Sequence, residues 1–456
     1  MYRLDRGQMG LPGRAVSKRT EKPTRRLNSD RDRSPHTHAH GDEDASLMAS
    51  VSYDDDARGK AEAPSGAAAP AAPSQSSSKP LSKFRSGSAP RTEKFLKLLD
   101  EPIANLEALR ELGWSGIPAR LRPLCWKLLL GYVPPNRDLR EGVLGRKRSE
   151  YKNLVDEYYN PILEETRLAN ANASSNQMVS ELRQVAVDVP RTAPDVPFFH
   201  QEQIQRSLER ILFIWGMRHP ASGYVQGIND VATPFLAVFF YGELVDGRKR
   251  VTGTGAESTN ASDGDDAEAN VDAADVVRQL NELDKLDDVE LHDAMLLRVE
   301  ADAYWCLCKV LDGIQDHYTY AQPGIQKTLF RVGELVGRVG KHVADHLAKE
   351  HCEYMQFAFR WCNCLLLREL SFDLGIRLWD TYVSEGSKLK DFLVYVLSSF
   401  LLSWAPELVK MDLEGLIMFL QRAPTQAWTE RDVETVLSRA YMWRLSFANA
   451  ASHLAS

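Results

Sequence analysis

The sequence predicts an all-α protein with one extended helical domain over residues 92–447. Two observations predict this fold class. Apolar residues recur at intervals of three and four along most of the chain beyond Thr92, which is typical of helices that bury one face. No convincing series of alternating apolar and polar residues indicates a sheet. The 456 residues are 43% hydrophobic and 26% charged, which excludes a fully disordered chain.

The helices are placed from the spacing of their apolar residues. In the clearest example, Ile204, Leu208, Ile211 and Trp215 step along one face of a helix. Earlier helical runs are predicted near 95–112, 120–131 and 150–166. Later ones are predicted over roughly 304–314, 325–348, 352–369, 373–384, 390–403, 412–421 and 430–446.

Residues 1–91 are predicted to be a disordered tail, and 448–456 a short C-terminal tail. The segment 61–80 is mostly Ala, Pro, Ser and Gln, a composition that cannot bury enough apolar surface to offset the entropy of ordering. The first 40 residues hold ten basic and four acidic residues. A solvated tether is the simplest interpretation. Weak contact with an anionic membrane or an acidic partner, and import into an organelle, are the alternatives.

One short motif stands out in this tail. The segment Arg85-Ser86-Gly87-Ser88-Ala89-Pro90 matches the Arg-Ser-x-Ser-x-Pro pattern that 14-3-3 proteins bind once the second serine is phosphorylated. A phosphate on Ser88 would pair with a cluster of arginines on such a partner. Ser88 is therefore a candidate phosphorylation site, and a 14-3-3 protein is a candidate partner.

A polar insertion interrupts the helical domain over residues 247–288. Between residues 251 and 300 the chain holds 14 acidic and three basic residues, and the apolar periodicity lapses. The insertion is predicted to be disordered, because the cost of closing a loop grows slowly with its length. A calcium-binding loop is a poor alternative, since Asp263, Asp265 and Asp266 lack the spacing and closing glutamate of an EF-hand.

Several classes of function are excluded. No segment is predicted to span a membrane: the most apolar candidate, 392–405, is too short, so membrane contact is peripheral at most. The six cysteines suit a reducing compartment. No metal site is predicted, because His342 and His346 have no third ligand at a suitable spacing. Nucleic-acid binding is not expected of an acidic folded region without a basic stripe.

Two motifs combine an arginine with a potential partner. Arg122-x-x-x-Trp126 places both side chains on one helix face, where a core tryptophan beside a paired arginine is the simplest interpretation. In the second motif, a short alternating apolar stretch that starts at Val185 runs into a proline, which should hold Arg191 on a stiff loop near Asp188. Taken alone, an Asp-x-x-Arg pair is usually a surface ion pair.

The third motif is Ser222-Gly223-Tyr224-Val225-Gln226-Gly227-Ile228-Asn229-Asp230. Gly223 and Gly227 permit close approach of the backbone on either side of Gln226. A carboxamide both donates and accepts hydrogen bonds, so Gln226 can hold a water molecule and a backbone group together. A polar turn ahead of a buried helix that begins near Asp230 is the structural alternative.

Together, the three motifs resemble those of the TBC family of GTPase-activating proteins for Rab GTPases: Arg-x-x-x-Trp, Ile-x-x-Asp-x-x-Arg and Tyr-x-Gln, in that order. Val185 stands where the family usually has isoleucine. Further segments resemble the Golgi-associated branch, at 191–192, 224–230, 322–326, 357–361 and 377–382. The resemblance implies a TBC domain of two helical subdomains, in a cytoplasmic protein that acts in vesicle trafficking at the Golgi.

The resemblance also implies a mechanism. Charge spreads over the phosphate oxygens as GTP is hydrolysed, so positioning and electrostatics dominate catalysis. Arg191 is expected to be an arginine finger, and Gln226 a glutamine finger that places the attacking water. Asp188 is expected to orient Arg191. The other supporting residues are Arg122 and Trp126, expected to brace the site, Tyr224 and Asn229, expected to shape the loop and the Rab contact, and Asp230.

The expected partner is a Rab GTPase in its GTP form. Because that partner brings the nucleotide and Mg²⁺, the resemblance implies no cofactor and no metal in this chain, which would activate hydrolysis without being a hydrolase itself. A non-catalytic adaptor that binds Rab or a Golgi scaffold through the same helical surface is the alternative. Some TBC proteins lack a finger residue, whereas this sequence holds both.

Overall fold

The computed structural model describes residues 88–168, 177–252, 273–281 and 293–448. Throughout these ranges the chain is helical or irregular and contains no strand; a single isolated β-bridge pairs Ile103 with Asn136. The all-α prediction is confirmed. The predictions for residues 1–87 and 449–456, which include Arg85 of the 14-3-3 motif, lie outside the described residues.

The helices follow in chain order. The first group is α1 (Ser88–Asp100), α2 (Leu106–Trp114), α3 (Arg122–Leu129), α4 (Arg140–Leu154), a π-helical turn (Val155–Tyr159), α5 (Asn160–Leu168), α6 (Gln177–Asp188), α7 (Glu202–Arg218) and α8 (Ile228–Thr252). The second group is α9 (Ala273–Asn281), α10 (Asp293–Gly313), α11 (Pro323–Val339), α12 (Lys341–Lys349), α13 (Tyr354–Asn363), α14 (Phe372–Glu385), α15 (Leu389–Leu401), α16 (Ala405–Leu408), α17 (Leu413–Gln421) and α18 (Glu430–Ala448). Short 3₁₀ turns lie at Arg137–Leu139, Val189–Arg191, Pro197–His200, Gln315–His317, Gly386–Lys388 and Leu402–Trp404.

Local capping fixes several helix starts. Asn105 accepts a 3.1 Å hydrogen bond from the Ala108 amide and so caps α2. At α13, Glu353 and Gln356 form a capping box, in which each side chain accepts a backbone N–H of the other residue. This cap fixes where α13 begins, and the C-terminal end of α13 reaches the candidate site described below.

One hydrophobic core joins the described helices. Helix α10 lies against α4, α7 and α8, while α14 packs against α2, α3 and α9. Helix α15 packs against α11 and α18. Four fully buried tryptophans are the largest side chains of this core: Trp126, Trp215, Trp361 and Trp379. The described helices therefore share a continuous apolar interior.

Buried carboxylates tie helices together through this core. Glu300 and Asp302, both on α10, are almost completely shielded from solvent. Each is surrounded by donors from other parts of the chain. The donors are Tyr151, Ser207 and Arg210 for the first, and Lys127, Tyr132 and Arg148 for the second. Removing a partner of such a pair would leave an uncompensated buried charge, so these contacts fix how the helices pack.

Two parts of the acidic insertion are helical, which corrects the prediction of disorder for residues 247–252 and 273–281; the rest of the insertion lies outside the described residues. Helix α8 continues to Thr252, and α9 lies inside the insertion. Val276 and Leu280 are buried, and α9 packs against α8 and α14. These residues are four apart on one helix face, a short apolar stripe that the surrounding acidic composition obscured. At the other boundary, α1 begins at Ser88, inside the segment predicted as tail.

Two stretches of the described chain, Ile228–Asp246 and Phe372–Leu408, are long and apolar enough to cross a membrane. The expectation that no segment has this character therefore needs correction. In the most apolar window of each stretch, 78% and 67% of the residues are buried inside the domain. Length and composition are weak indicators here, because the core helices of a large globular domain meet the same criteria.

Candidate functional site

Arg191 ends the 3₁₀ turn that continues α6. The alternating stretch predicted from Val185 is helical instead, because Val179, Leu182 and Val185 are spaced three apart and form one buried helix face. Pro190 lies in the first turn of the 3₁₀ segment, where its missing N–H is tolerated. The turn leaves the Arg191 side chain 57% exposed.

Asp188 organises the arginine side of the site from a buried position. Its Oδ1 accepts a 3.1 Å hydrogen bond from Nε of Arg191 and also pairs with Nη2 of the same guanidinium. Its Oδ2 accepts a 2.8 Å hydrogen bond from the hydroxyl of Tyr224. Burial and the nearby Asp188 carboxylate raise the pKa of Tyr224, so the phenol stays protonated and remains a donor.

A second cross-link joins the two loops. The Thr192 hydroxyl donates to the Asp188 carbonyl at 2.9 Å and accepts from Nδ2 of Asn229 at 2.9 Å. Oδ1 of Asn229 in turn accepts the Gly227 amide at 2.8 Å. Tyr224 and Asn229 are both buried, so they shape the loop from beneath.

Gln226 lies at the exposed tip of the second loop. The backbone carbonyl oxygen of Gln226 accepts a 2.9 Å hydrogen bond from Nδ2 of Asn363, which lies at the end of α13. Gly227 follows with φ +107°, and a Cβ there would lie 2.9 Å from Cγ of Asn363 and closer still to Nδ2. Only glycine therefore allows α13 to hold the backbone of Gln226 this closely.

Asn363 and Cys364 are site residues that the sequence analysis missed. The Asn363 carbonyl accepts a 2.8 Å hydrogen bond from the Tyr318 hydroxyl. The Cys364 thiol lies 3.4 Å from Oδ2 of Asp230 and donates to it. Burial raises the pKa of Asp230, while Arg368 acts in the opposite direction. The sequence offered one signal for them: an amide side chain and a thiol, Asn363 and Cys364, follow shortly after the 357–361 segment.

Arg122 and Trp126 bind a buried carboxylate deeper in the core. Nε and Nη2 of Arg122 donate to the two oxygens of Asp380 at 2.9 and 3.0 Å, and Nε1 of Trp126 donates to the same carboxylate at 2.8 Å. The Ile117 amide adds a fourth hydrogen bond at 2.9 Å. This motif therefore fixes α3 against α14, as the core interpretation predicted.

The site thus has an exposed pair above a buried support. Arg191 and Gln226 reach solvent on two loops that the Tyr224–Asp188 and Asn229–Thr192 hydrogen bonds join. The support comprises Asp188, Thr192, Tyr224, Asn229, Asp230 and Asn363. A guanidinium and a carboxamide presented in this way can interact with an anion and a water molecule supplied by another molecule. Within the described ranges, no group of three His, Cys, Asp or Glu side chains lies close enough to hold a metal ion.

Comparison with known proteins places this geometry in context. The Rab-GTPase-TBC domain family matches residues 119–409. The GTPase-activating protein gyp1 of Schizosaccharomyces pombe is 42% identical over 365 residues, which cover 80% of this chain and 63% of that protein. The human TBC1 domain family member 22B is 40% identical over 364 residues, with the same coverage of 80% and 63%. The chain therefore aligns with less than two thirds of the length of these relatives.

A solved structure shares the fold. The crystal structure of the Ypt/Rab-GAP domain of Gyp1p superposes with a TM-score of 0.64 at 38% sequence identity. The match covers 78% of this chain and 98% of that one. The helical architecture described above is therefore that of a known domain.

Proposed function

Because the chain belongs to the Rab-GTPase-TBC domain family, we propose that it is a GTPase-activating protein for a Rab-family GTPase. The observation that carries this proposal is the exposure of Arg191 and Gln226 above a buried, hydrogen-bonded support. Asp188 holds the Arg191 guanidinium and Asn363 holds the Gln226 backbone, while both side chains stay exposed on loops that buried hydrogen bonds join.

In the proposed mechanism, Arg191 is the arginine finger. Negative charge spreads over the phosphate oxygens in the transition state, and a guanidinium from a second protein stabilises that charge. An arginine supplied in this way can raise the rate of hydrolysis by roughly 10³–10⁵-fold. Asp188 holds the guanidinium through Nε in the free protein. The fixed carboxylate limits the rotamers of Arg191 before the GTPase arrives, which reduces the entropy cost of placing the finger.

Gln226 is the proposed glutamine finger. Its carboxamide oxygen can accept a hydrogen bond from the attacking water while its NH₂ donates one to the GTPase backbone, so it aligns the water for in-line attack. Asn363 fixes the backbone carbonyl of Gln226 and leaves the side chain exposed. The GTPase supplies the nucleotide and Mg²⁺ in this proposal, and the chain itself needs neither a cofactor nor a metal.

The test is single-turnover hydrolysis by a panel of GTP-loaded Rab proteins, with and without this chain. A catalytic activator accelerates at least one Rab. A non-catalytic adaptor, the second candidate, binds a Rab or a Golgi scaffold tightly and leaves the hydrolysis rate unchanged. Parallel binding measurements on the same panel separate these two functions.

We further propose a cytoplasmic protein that acts at the Golgi periphery, supported by its similarity to the Golgi-associated branch in segments such as 224–230. A fluorescent fusion of the full chain tests this location against Golgi markers. Organelle import is tested separately by fusing residues 1–60 to a reporter.

Binding of a 14-3-3 protein remains a separate proposal. It rests on the Arg85–Pro90 sequence, of which Ser88 begins helix α1. If the partner needs an extended segment, the first turn of α1 must unwind when it binds. The test compares 14-3-3 binding by the chain phosphorylated at Ser88 with binding by Ser88→Ala.

A further inference from the structure

Tyr320 is the most exposed large hydrophobic residue in the part of the chain that the structure describes, at 96% relative exposure. It lies between the 3₁₀ turn Gln315–His317 and α11. Tyr318, two residues earlier, is buried. The chain therefore buries one aromatic ring and extends the next into solvent, although exposure of an aromatic ring to water is unfavourable.

The backbone that presents Tyr320 is strained and held in place. Ala321 and Gln322 have φ values of +59° and +46°, in the left-handed region that residues with a side chain rarely adopt. Two hydrogen bonds hold this conformation: the Gln322 amide donates to the Thr319 carbonyl at 2.8 Å, and Nε2 of Gln326 donates to the Ala321 carbonyl at 2.7 Å. The loop is built to keep Tyr320 in this exposed position.

This loop is connected to the candidate site by two consecutive hydrogen bonds. The Tyr318 hydroxyl donates to the carbonyl of Asn363, whose side chain donates to the carbonyl of Gln226. On α11, Phe330 is four residues after Gln326 and is therefore on the same helix face. Phe330 is 68% exposed and is a second uncovered aromatic ring in this segment of the chain.

We propose that Tyr320 and Phe330 form a docking surface for the GTPase that receives Arg191 and Gln226, an inference that rests on the proposed function. The hydrogen-bonded connection of its loop to the Gln226 loop points to the occupant: a protein whose nucleotide pocket accepts the fingers would also meet the neighbouring loop. The matching chemistry is an apolar depression beside that pocket. Aromatic anchors of this type commonly carry a large share of interface energy.

The test is Tyr320→Ala, with Met442→Ala as the matched control. Met442 is 65% exposed on α18, so its replacement removes a similarly exposed apolar side chain elsewhere on the domain. For the most responsive Rab, we expect kcat/KM to fall about tenfold in Tyr320→Ala through a higher KM, with kcat retained at saturating Rab. Both variants should keep the wild-type melting temperature, and Tyr320→Phe should retain wild-type kinetics.

A binding measurement separates this inference from the proposed function. Arg191→Ala should still bind the GTP-loaded Rab, and adding Tyr320→Ala should weaken that binding about tenfold. If the wild-type chain is active and Tyr320→Ala behaves like Met442→Ala in both assays, the docking surface is wrong and the proposed function stands. If the wild-type chain neither activates nor binds any Rab in the panel, the proposed function and the docking surface both fail.

Discussion

The hydroxyl of Tyr224 donates a 2.8 Å hydrogen bond to Oδ2 of Asp188, whose Oδ1 holds the guanidinium of Arg191. Because Tyr224 is two residues before Gln226, this buried contact links the loops that carry the two proposed fingers. The relative position of two exposed side chains is therefore set by atoms beneath them. Substitutions in this support should affect catalysis without changing any group that would touch the nucleotide.

Tyr224→Phe tests this link. The substitution removes one hydroxyl and leaves Oδ2 of buried Asp188 without its donor, which should lower the free energy of unfolding by about 1–3 kcal/mol. It should also lower kcat at saturating Rab, because the Arg191 loop loses its connection to Gln226. Urea unfolding and single-turnover hydrolysis measure the two effects. Tyr441→Phe, at a partly exposed ring on α18, is the control. An unchanged kcat in Tyr224→Phe would show that the link has no role in catalysis.

Gly227→Ala should disable the glutamine loop. The new Cβ would overlap the Asn363 carboxamide, and the φ of +107° is unfavourable for alanine. We expect a large loss of kcat/KM, which Asn363→Ala added to the same chain restores only in part, since it removes the overlap and not the backbone strain. Gly142→Ala in α4, where nothing lies within 4 Å of the added Cβ, should instead be neutral or stabilising. Wild-type kinetics for Gly227→Ala would contradict the close packing of α13 on this loop.

Replacing the two motif arginines should destabilise the domain to different extents. Arg122→Ala leaves the Asp380 carboxylate buried without its main counter-charge, so we expect about 3–5 kcal/mol of destabilisation. Arg191→Ala also removes a partner of a buried carboxylate, but Asp188 keeps its Tyr224 donor and the lost guanidinium is 57% exposed, so the cost should be smaller, about 1–3 kcal/mol. Denaturant unfolding of both variants measures this contrast. If Arg191→Ala were the more destabilised variant, its loss of activity could not be assigned to catalysis.

His317 should make the domain sensitive to acid. Burial lowers its pKa from 6.5 to about 4. Between these values the unfolded chain binds a proton at this site and the folded chain does not, so lowering the pH favours unfolding. From pH 7 to pH 5, the wild-type protein should lose about 2 kcal/mol more stability than His317→Gln. His342→Gln, at an exposed histidine, is the matched control substitution. Identical pH slopes for the wild-type protein and His317→Gln would contradict this prediction.

The local features of the fold could be predicted from the sequence, because apolar spacing reports directly which helix face is buried. The stripe from Ile204 to Trp215 lies on α7, as predicted, with these apolar side chains buried. Apolar spacing did not predict α9, because the acidic composition around it favoured a disordered segment. At Val185, a short helical face was interpreted as an alternating stretch. In both cases the decisive signal was only two or three residues long.

The support of the candidate site could not be predicted in this way. Asn363 is 137 residues from Gln226 in the chain, and Asp380 is 258 residues from Arg122. Hydrogen bonds over such separations depend on how the helices pack, and no local pattern encodes them. The motif residues were visible in the sequence as short spacings, whereas the residues that position them became visible only once the chain was folded.

The central claim is tested most directly by the single-turnover rate of GTP hydrolysis by the most responsive Rab, with the wild-type chain, Arg191→Ala and Gln226→Ala. The account predicts that each variant remains folded, still binds the Rab and accelerates hydrolysis less than the wild-type chain does. For Arg191→Ala, the acceleration should fall by a factor of roughly 10³ or more. It also predicts that the double variant is scarcely slower than the worse single variant, because the two side chains act on one transition state. Full acceleration by either single variant would contradict the account.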